Sequence, residues 1–404
     1  MSERFLLPIG IRDYRTQDVK KIDFISNIFL DEAELWGYKK LLTPIFERLG
    51  SLEVGTKKEE FPKIIKFIDP LSGEVLGLRS DVTPQIARYV ATNYKEESVP
   101  FRLSYVERVI RNEPKDTKNK REIFQVGCEL IGSDEIESDL EVILLGSRIL
   151  TKLGFERQSL TLNSSLFLNF VFSRLPSIKN KIGPLFHKKD FDTIKKFSRD
   201  KSLEKKEQEF LNNYVIPLIS GKEINLKKLP RHVQRGLKKV DFLYESLQTS
   251  NPYLKVAVDL LDVKDFNYYS DITFDIAIPG ANQIVLSGGR YNDLIKKYGK
   301  NVPAVGFGIN ILPLLSKIEY KNLGIPIVII EYSNIKNLSS SFEARDFFNS
   351  QGFVSILSNQ KNKYKGDYDM RIKINTNDSL DLYNKKNKKI GSFNSLTELQ
   401  EEDL

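Results

Sequence analysis

Residues 105–132, YVERVIRNEPKDTKNKREIFQVGCELIG, decide the fold. From Glu122 onward the side chains alternate. Phe124, Val126, Cys128 and Leu130 fall on one side, and Gln125, Gly127 and Glu129 on the other. That period of two predicts a strand with one face against a core. The second face is a carboxamide, a bare backbone position and a carboxylate in a row. Such a set has no reason to be buried unless something polar lies over it. Gly127 leaves room for that something to come close to the sheet. The preceding strand ends in Arg111, and the polar link over residues 112–120 is longer than a tight hairpin needs, which marks it as a functional loop. The pair reads as the floor of a pocket for a small, polar, nitrogen-bearing ligand.

Composition narrows what surrounds that floor. At 404 residues the chain has room for two or three domains. Its longest apolar runs, such as IPIVII near Ile325, are far short of a membrane span, and MSERFLLPIG lacks the apolar core of a secretion signal. The single cysteine, Cys128, excludes an internal disulfide framework and falls on the apolar face as a small core residue. With only His187 and His232, both in lysine-rich surroundings, neither a His/Cys metal site nor a His-dependent triad is supported. The formal net charge of +8 raises nucleic acid as a partner. However, the lysine patches at residues 188–206, 227–239 and 385–389 carry few interleaved aromatics, and a solvated surface accounts for them.

Taken in order, residues 19–36 place Ile22, Ile25, Phe29 and Leu35 at helical spacing, with Gly37 as the C-terminal cap. YKKLLTPIFE is a strand broken at Pro44, and KFIDPLSGEVLGLRSD a hairpin turning at Ser72-Gly73, with Phe67, Val75 and Leu78 giving its apolar contacts. Thr83 suits an N-cap and Pro84 the first turn of the helix that follows, and a ligand role for Thr83 is compatible with both. Asp81, just before that helix, opposes an anion at its N-terminus and favours an amine. Ser138 and Glu141 have the spacing of a capping box for a helix over residues 139–153, ended by Gly154. Residues 176–249 read as a lysine-rich helical insertion without chemistry of its own. NQIVLSGGRYNDLIKKYG reads as strand, Gly-Gly turn and helix. Beyond residue 320, strand, helix and strand patterns are followed by a short strand at DMRIKIN in an otherwise polar, turn-rich remainder.

The order PIGIRD, GYKKLLTPIFE, LRSDVTPQIAR, RNEPKDTKNKREIFQVGCELIG, DFNYYSDITF and SGGRYNDL with PAVGFGI resembles the class II aminoacyl-tRNA synthetase core of the histidyl type. The resemblance covers residue 8 to about 315 apart from the insertion. Within that family, LRSDVTPQIAR and the slight carboxyl-terminal domain look most like the non-synthetase branch, the regulatory subunits of ATP phosphoribosyltransferase. The fold implied is α+β: an antiparallel sheet flanked by helices over residues 1–320, the helical insertion, and a small α/β domain over residues 321–404.

The resemblance also implies a free-histidine pocket. Glu129 would accept an imidazole N–H, with Tyr268 and Tyr269 giving ring contact and a hydroxyl. Asp81, Thr83 and Gln125 would surround the α-amino end, and Arg111, matching the motif 2 arginine that in the synthetases holds the carboxylate side and the nucleotide phosphate, would hold the carboxylate. It departs from the synthetases where they carry two nucleotide-binding arginines. KDFNYY offers Lys264, and GFGINILPL offers Pro313. An ammonium does not reproduce a guanidinium's two-pronged grip, and proline removes the charge altogether. The expectation is a cytoplasmic, non-catalytic subunit without cofactor, metal, membrane or nucleic acid. It would be a homodimer through the motif 1 helix and strand, bind L-histidine, and join a short-form catalytic phosphoribosyltransferase. The rival expectation is a divergent histidyl-tRNA synthetase.

Overall fold

A computed structural model of the chain describes residues 6–56, 58–93, 99–112, 121–200, 202–251, 254–263, 268–281, 283–318, 325–359 and 363–401. The link at residues 113–120 and Lys264 lie outside them. The chain divides into two compact units, Met1–Glu319 and Tyr320–Leu404.

The first unit opens with α1 (Thr16–Leu35), whose Ile22, Ile25 and Phe29 are buried and whose end is turned by Gly37 at φ +82°. Next come β1 (Lys39–Lys40), β2 (Phe46–Arg48), α2 (Leu49–Gly55), β3 (Lys66–Ile68) and β4 (Val75–Leu78). Strands β2, β4 and β3 make a small antiparallel sheet. The inward residue of that hairpin is Leu76, opposite Phe67, whereas Val75, expected among its apolar contacts, is exposed. Helix α3 (Thr83–Asn93) follows, then β5 (Phe101–Ile110), β6 (Glu122–Ile131), α4 (Ile136–Lys152), β7 (Gln158–Ser164) and α5 (Ser165–Arg174). The insertion is helical: α6 (Lys179–Lys188), α7 (Phe191–Phe197), α8 (Lys205–Phe210), α9 (Ile216–Ile219) and α10 (Arg231–Ser250). They close, with α5, over their own core of Phe167, Phe186, Leu211, Val233 and Leu237. The unit ends with β8 (Leu254–Val258), β9 (Ile272–Ala277), β10 (Leu286–Arg290), α11 (Asn292–Lys297) and β11 (Ala304–Asn310).

One eight-stranded sheet, in the order β1-β5-β6-β11-β10-β9-β7-β8, runs through this unit. Its pairs are antiparallel except β1 with β5 and β7 with β8. The α+β fold is therefore a mostly antiparallel sheet between helices. On one face Gly146 lets α4 approach Leu286 and Phe307 closely. On the other, α3 and α11 pack Ile86, Val90, Leu294 and Ile295 beside Tyr105 and Ile131.

Two local expectations change. Helix α4 begins three residues earlier than the spacing implied, and no capping box forms. Ser138 donates to Ser133 Oγ at 2.7 Å, and Glu141 takes Arg102 and Tyr38, so distant partners outcompete the local cap. Gly288 and Gly289 lie inside β10 and make no turn. A Cβ on Gly288 would stand 2.4 Å from the Phe274 ring, and on Gly289 2.6 Å from the Ile272 carbonyl, so close packing accounts for both.

The second unit is a five-stranded sheet, β13-β12-β14-β15-β16, built from β12 (Ile327–Tyr332), α12 (Leu338–Ser350), β13 (Val354–Asn359), β14 (Met370–Ile374), β15 (Leu380–Asn384), β16 (Lys389–Phe393) and α13 (Leu396–Gln400). Val328, Ile330, Phe348, Ile372 and Leu382 form its core. The polar remainder thus contains a β15-β16 hairpin, whose Leu380, Leu382 and Phe393 face that core.

Candidate functional site

Strand register builds the floor. Glu129 on β6 stands opposite Gly306 on β11, which stands opposite Gly289 on β10. The adjacent row runs from Tyr105 through Gly127 and Gly308 to Ser287. Paired residues share a face, so bare backbone alternates there with Glu129, Gln125 and Ser287. Over it lies a cavity of about 490 Å³, within the range of small-molecule sites. All seven residues singled out from sequence line it: Asp81, Thr83, Arg111, Gln125, Glu129, Tyr268 and Tyr269.

Glu129 is 1 % exposed and accepts hydrogen bonds from Thr83 Oγ1 at 2.7 Å and Tyr291 Oη at 2.5 Å. Burial pushes its carboxyl up to about 8 against the pull of those two hydroxyls. The Thr83 hydroxyl therefore serves Glu129 and does not cap α3. Just before the helix, the Asp81 carboxylate accepts from the Val82 N–H at 2.9 Å. Tyr268 donates to the other oxygen of Asp81, also at 2.9 Å. Burial raises the Asp81 carboxyl, and the neighbouring Arg111 guanidinium opposes that rise. Arg111 is steadied by an Nε hydrogen bond to the Ser80 carbonyl at 2.9 Å. Tyr268 and Tyr269 pack ring to ring at 4.9 Å, with Tyr291 edge-on to Tyr268 at 5.9 Å.

Two buried polar atoms on the floor are without a hydrogen-bond partner among the described residues, Gln125 Oε1 and Tyr105 Oη. Each leaves a desolvated group that a ligand donor or a water would satisfy. The site thus offers two carboxyls, an amide oxygen, one guanidinium and aromatic walls. That set can hold a small zwitterion that also carries a ring or side-chain N–H. Among the described residues no cluster of His, Cys, Asp or Glu could hold a metal ion.

Tyr291, Gly306 and Gly308 line this site and were not read from the sequence, nor was Tyr105, which lies beside Gly127 beneath it. Gly306 is the most constrained. A Cβ there would stand 1.7 Å from Glu129 Oε2 and 2.6 Å from the Cys128 carbonyl, whereas one on Gly308 would meet chiefly the movable Gln125 amide at 2.3 Å. Gly306→Ala should therefore destabilise the protein by about 1–3 kcal/mol or more and Gly308→Ala by less, read as melting temperatures. Equal melting of the two would mean that Glu129 is not wedged against bare backbone.

The sequence model of the histidyl-tRNA synthetase family matches residues 10–314. Among curated relatives, the ATP phosphoribosyltransferase regulatory subunit of Geobacter metallireducens is 30 % identical over 322 residues, covering 78 % of this chain and 74 % of that protein. The one of Halothermothrix orenii is 32 % identical over 322 residues, covering 77 % and 76 %. Among solved structures, an ATP phosphoribosyltransferase regulatory subunit/histidyl-tRNA synthetase from Bacillus halodurans superposes with a TM-score of 0.75 at 24 % identity, over 90 % of this chain and 95 % of that one. Apo histidyl-tRNA synthetase of S. aureus superposes with 0.70 at 19 % identity, over 98 % and 99 %. These two likenesses speak to the fold.

Proposed function

The chain belongs to the ATP phosphoribosyltransferase regulatory subunits of the histidyl-tRNA synthetase family, and from that premise we propose that it is non-catalytic, senses free L-histidine, and joins a short catalytic phosphoribosyltransferase at the first step of histidine biosynthesis. The observation that carries the reading is the lining of the cavity. Its acceptors and tyrosines complement an imidazole amino acid, whereas Arg111 is the one cation among the described residues that line it. A triphosphate needs several positioned cations, and losing even one phosphate clamp costs orders of magnitude in rate. Where the synthetases bear an arginine on a helix, this chain has Pro313 within turns over residues 311–317. The dimer face assigned to α1 and the strand through Pro44 has exposed apolar residues nearby in Leu42 and Ile45. Feedback follows if histidine favours one arrangement of the assembly. By linkage, the partner and its substrates then change histidine affinity by the same factor.

Mixing the chain with a short-form catalytic subunit is expected to give a larger species on size exclusion, active only when both are present and inhibited by histidine. Independent elution with unaltered activity would sink the reading. Histidine-dependent pyrophosphate exchange by this chain alone, lost in Arg111→Ala, would instead establish the divergent synthetase.

A further inference from the structure

The charge of this protein is not spread evenly. Residues 176–249 hold seventeen Lys and Arg against nine Asp and Glu, a net of +8, leaving forty-five of each sign elsewhere. The whole formal charge of the chain thus resides in the insertion. It is concentrated further in residues 222–239, where seven cations face the single acid Glu223.

Six of those cations, Lys222, Lys227, Lys228, Arg231, Arg235 and Lys238, are exposed. Among the described residues none of the six makes an ion pair, while Lys239, the seventh, is held by Asp271 at 2.8 Å. Arg231, Arg235 and Lys238 follow at i, i+4 and i+7 on α10, so they share one face, opposite the buried Val233, Leu237 and Val240. Like charges one turn apart repel, and the first acid on the helix is Asp241, beyond Lys238. Exposed apolar side chains lie at the two ends of the stripe, Leu226 (41 %) before it and Phe242 (45 %) after it. Residues 222–239 contain no Phe, Tyr or Trp and one imidazole, His232, so the surface offers no run of rings on which successive bases could stack. Arg231, Arg235 and Phe242 are residue types that protein interfaces favour, and the four lysines suit a polar rim around them.

We propose that this face of the insertion, α10 and the chain leading into it from Lys222, is the docking surface for an acidic patch on the catalytic subunit. The inference rests on the regulatory reading above. Electrostatic docking of this kind acts mainly through association rate and is weakened by salt.

The test is biolayer interferometry of the full chain against a short-form catalytic subunit at 50 and 400 mM NaCl. Wild type is expected to lose about tenfold in affinity between the two salts, and Arg231→Glu/Arg235→Glu/Lys238→Glu about 30-fold at the lower salt. Arg235→Gln/Lys238→Gln should fall between, guarding against a folding defect in the reversed variant. Melting temperature and histidine binding should not change in either. If the triple variant binds its partner as tightly as wild type, this surface is not the interface and the regulatory reading stands. If wild type forms no complex at either salt, that reading falls and takes this one with it. If the triple variant keeps the catalytic subunit but loses a steeply salt-dependent affinity for tRNA, the face belongs to nucleic acid and the proposal is overturned.

Discussion

Replacing Glu129 by glutamine is expected to weaken histidine binding by roughly 10- to 150-fold, the worth of a hydrogen bond to a charged group, while making the empty protein more stable at alkaline pH. The two effects have one cause. Burial holds the Glu129 carboxyl near 8, above the 4.5 of a free side chain. The folded protein therefore keeps a proton that the unfolded chain releases between those values. The resulting stability is complete below about 4.5, is lost as pH rises, and is gone above about 8. Full ionisation costs on the order of 5 kcal/mol, and glutamine escapes it. Wild type and Glu129→Gln should melt alike near pH 5, and the variant higher by about 5 °C or more near pH 9. Binding has its own pH signature. A free imidazole is neutral above about 6.5. Between there and about 8 the proton on Glu129 can pass to the ring, giving an ion pair with no net proton exchange. Affinity by calorimetry should be flat in that window and fall on both sides. Unchanged affinity in Glu129→Gln would remove this residue from the site.

The floor of that site was legible because strand alternation is a local property. Gln125, Gly127 and Glu129 declare a polar face within five residues, and the core positions Val126, Cys128 and Leu130 are all buried. What crosses between strands was not legible. Gly306 and Gly308 alternate with apolar residues just as visibly, but that they lie beside Glu129 and Gln125 follows from register, which one sequence does not state. Tyr291 was missed for a different reason. It follows SGGR, a string that reads as a turn, so nothing local suggests that its hydroxyl meets Glu129. The false capping box is the same lesson reversed: Ser138 and Glu141 have the right spacing, and Arg102, far away in sequence, claims the glutamate. The β15-β16 hairpin was passed over because its outward residues, Asp381, Tyr383, Lys389 and Ser392, are polar and its turn is lysine and asparagine. The insertion was read correctly as helical, yet its weight in the charge of the chain appears only on counting by segment.

Arg290→Met is expected to be the most damaging single change for the fold, at about 3–5 kcal/mol. The guanidinium is fully buried. It donates to Asp139 through Nε at 3.0 Å and Nη2 at 2.9 Å, and to the carbonyls of Ser133 at 2.8 Å and Glu135 at 3.2 Å. It thereby joins the end of β10 to the loop and first turn of α4. Burial already pushes the Asp139 carboxyl up, and Arg290 is what works against that. Methionine would fill the volume and leave a desolvated carboxyl and two carbonyls unserved. Against a total stability of about 5–15 kcal/mol this is a large share. Trp36, the single tryptophan, lies in the same unit and reports its unfolding in guanidinium. Adding Asp139→Leu should recover about half of the loss, because the orphaned charge goes but the two carbonyls remain. Arg290 also fixes the neighbour whose hydroxyl completes the pocket, Tyr291. Even at temperatures where Arg290→Met stays folded, its histidine affinity should fall, and that affinity should not return with the stability regained in the double variant. A midpoint within about 0.5 kcal/mol of wild type for Arg290→Met would show that the β10–α4 tie is dispensable.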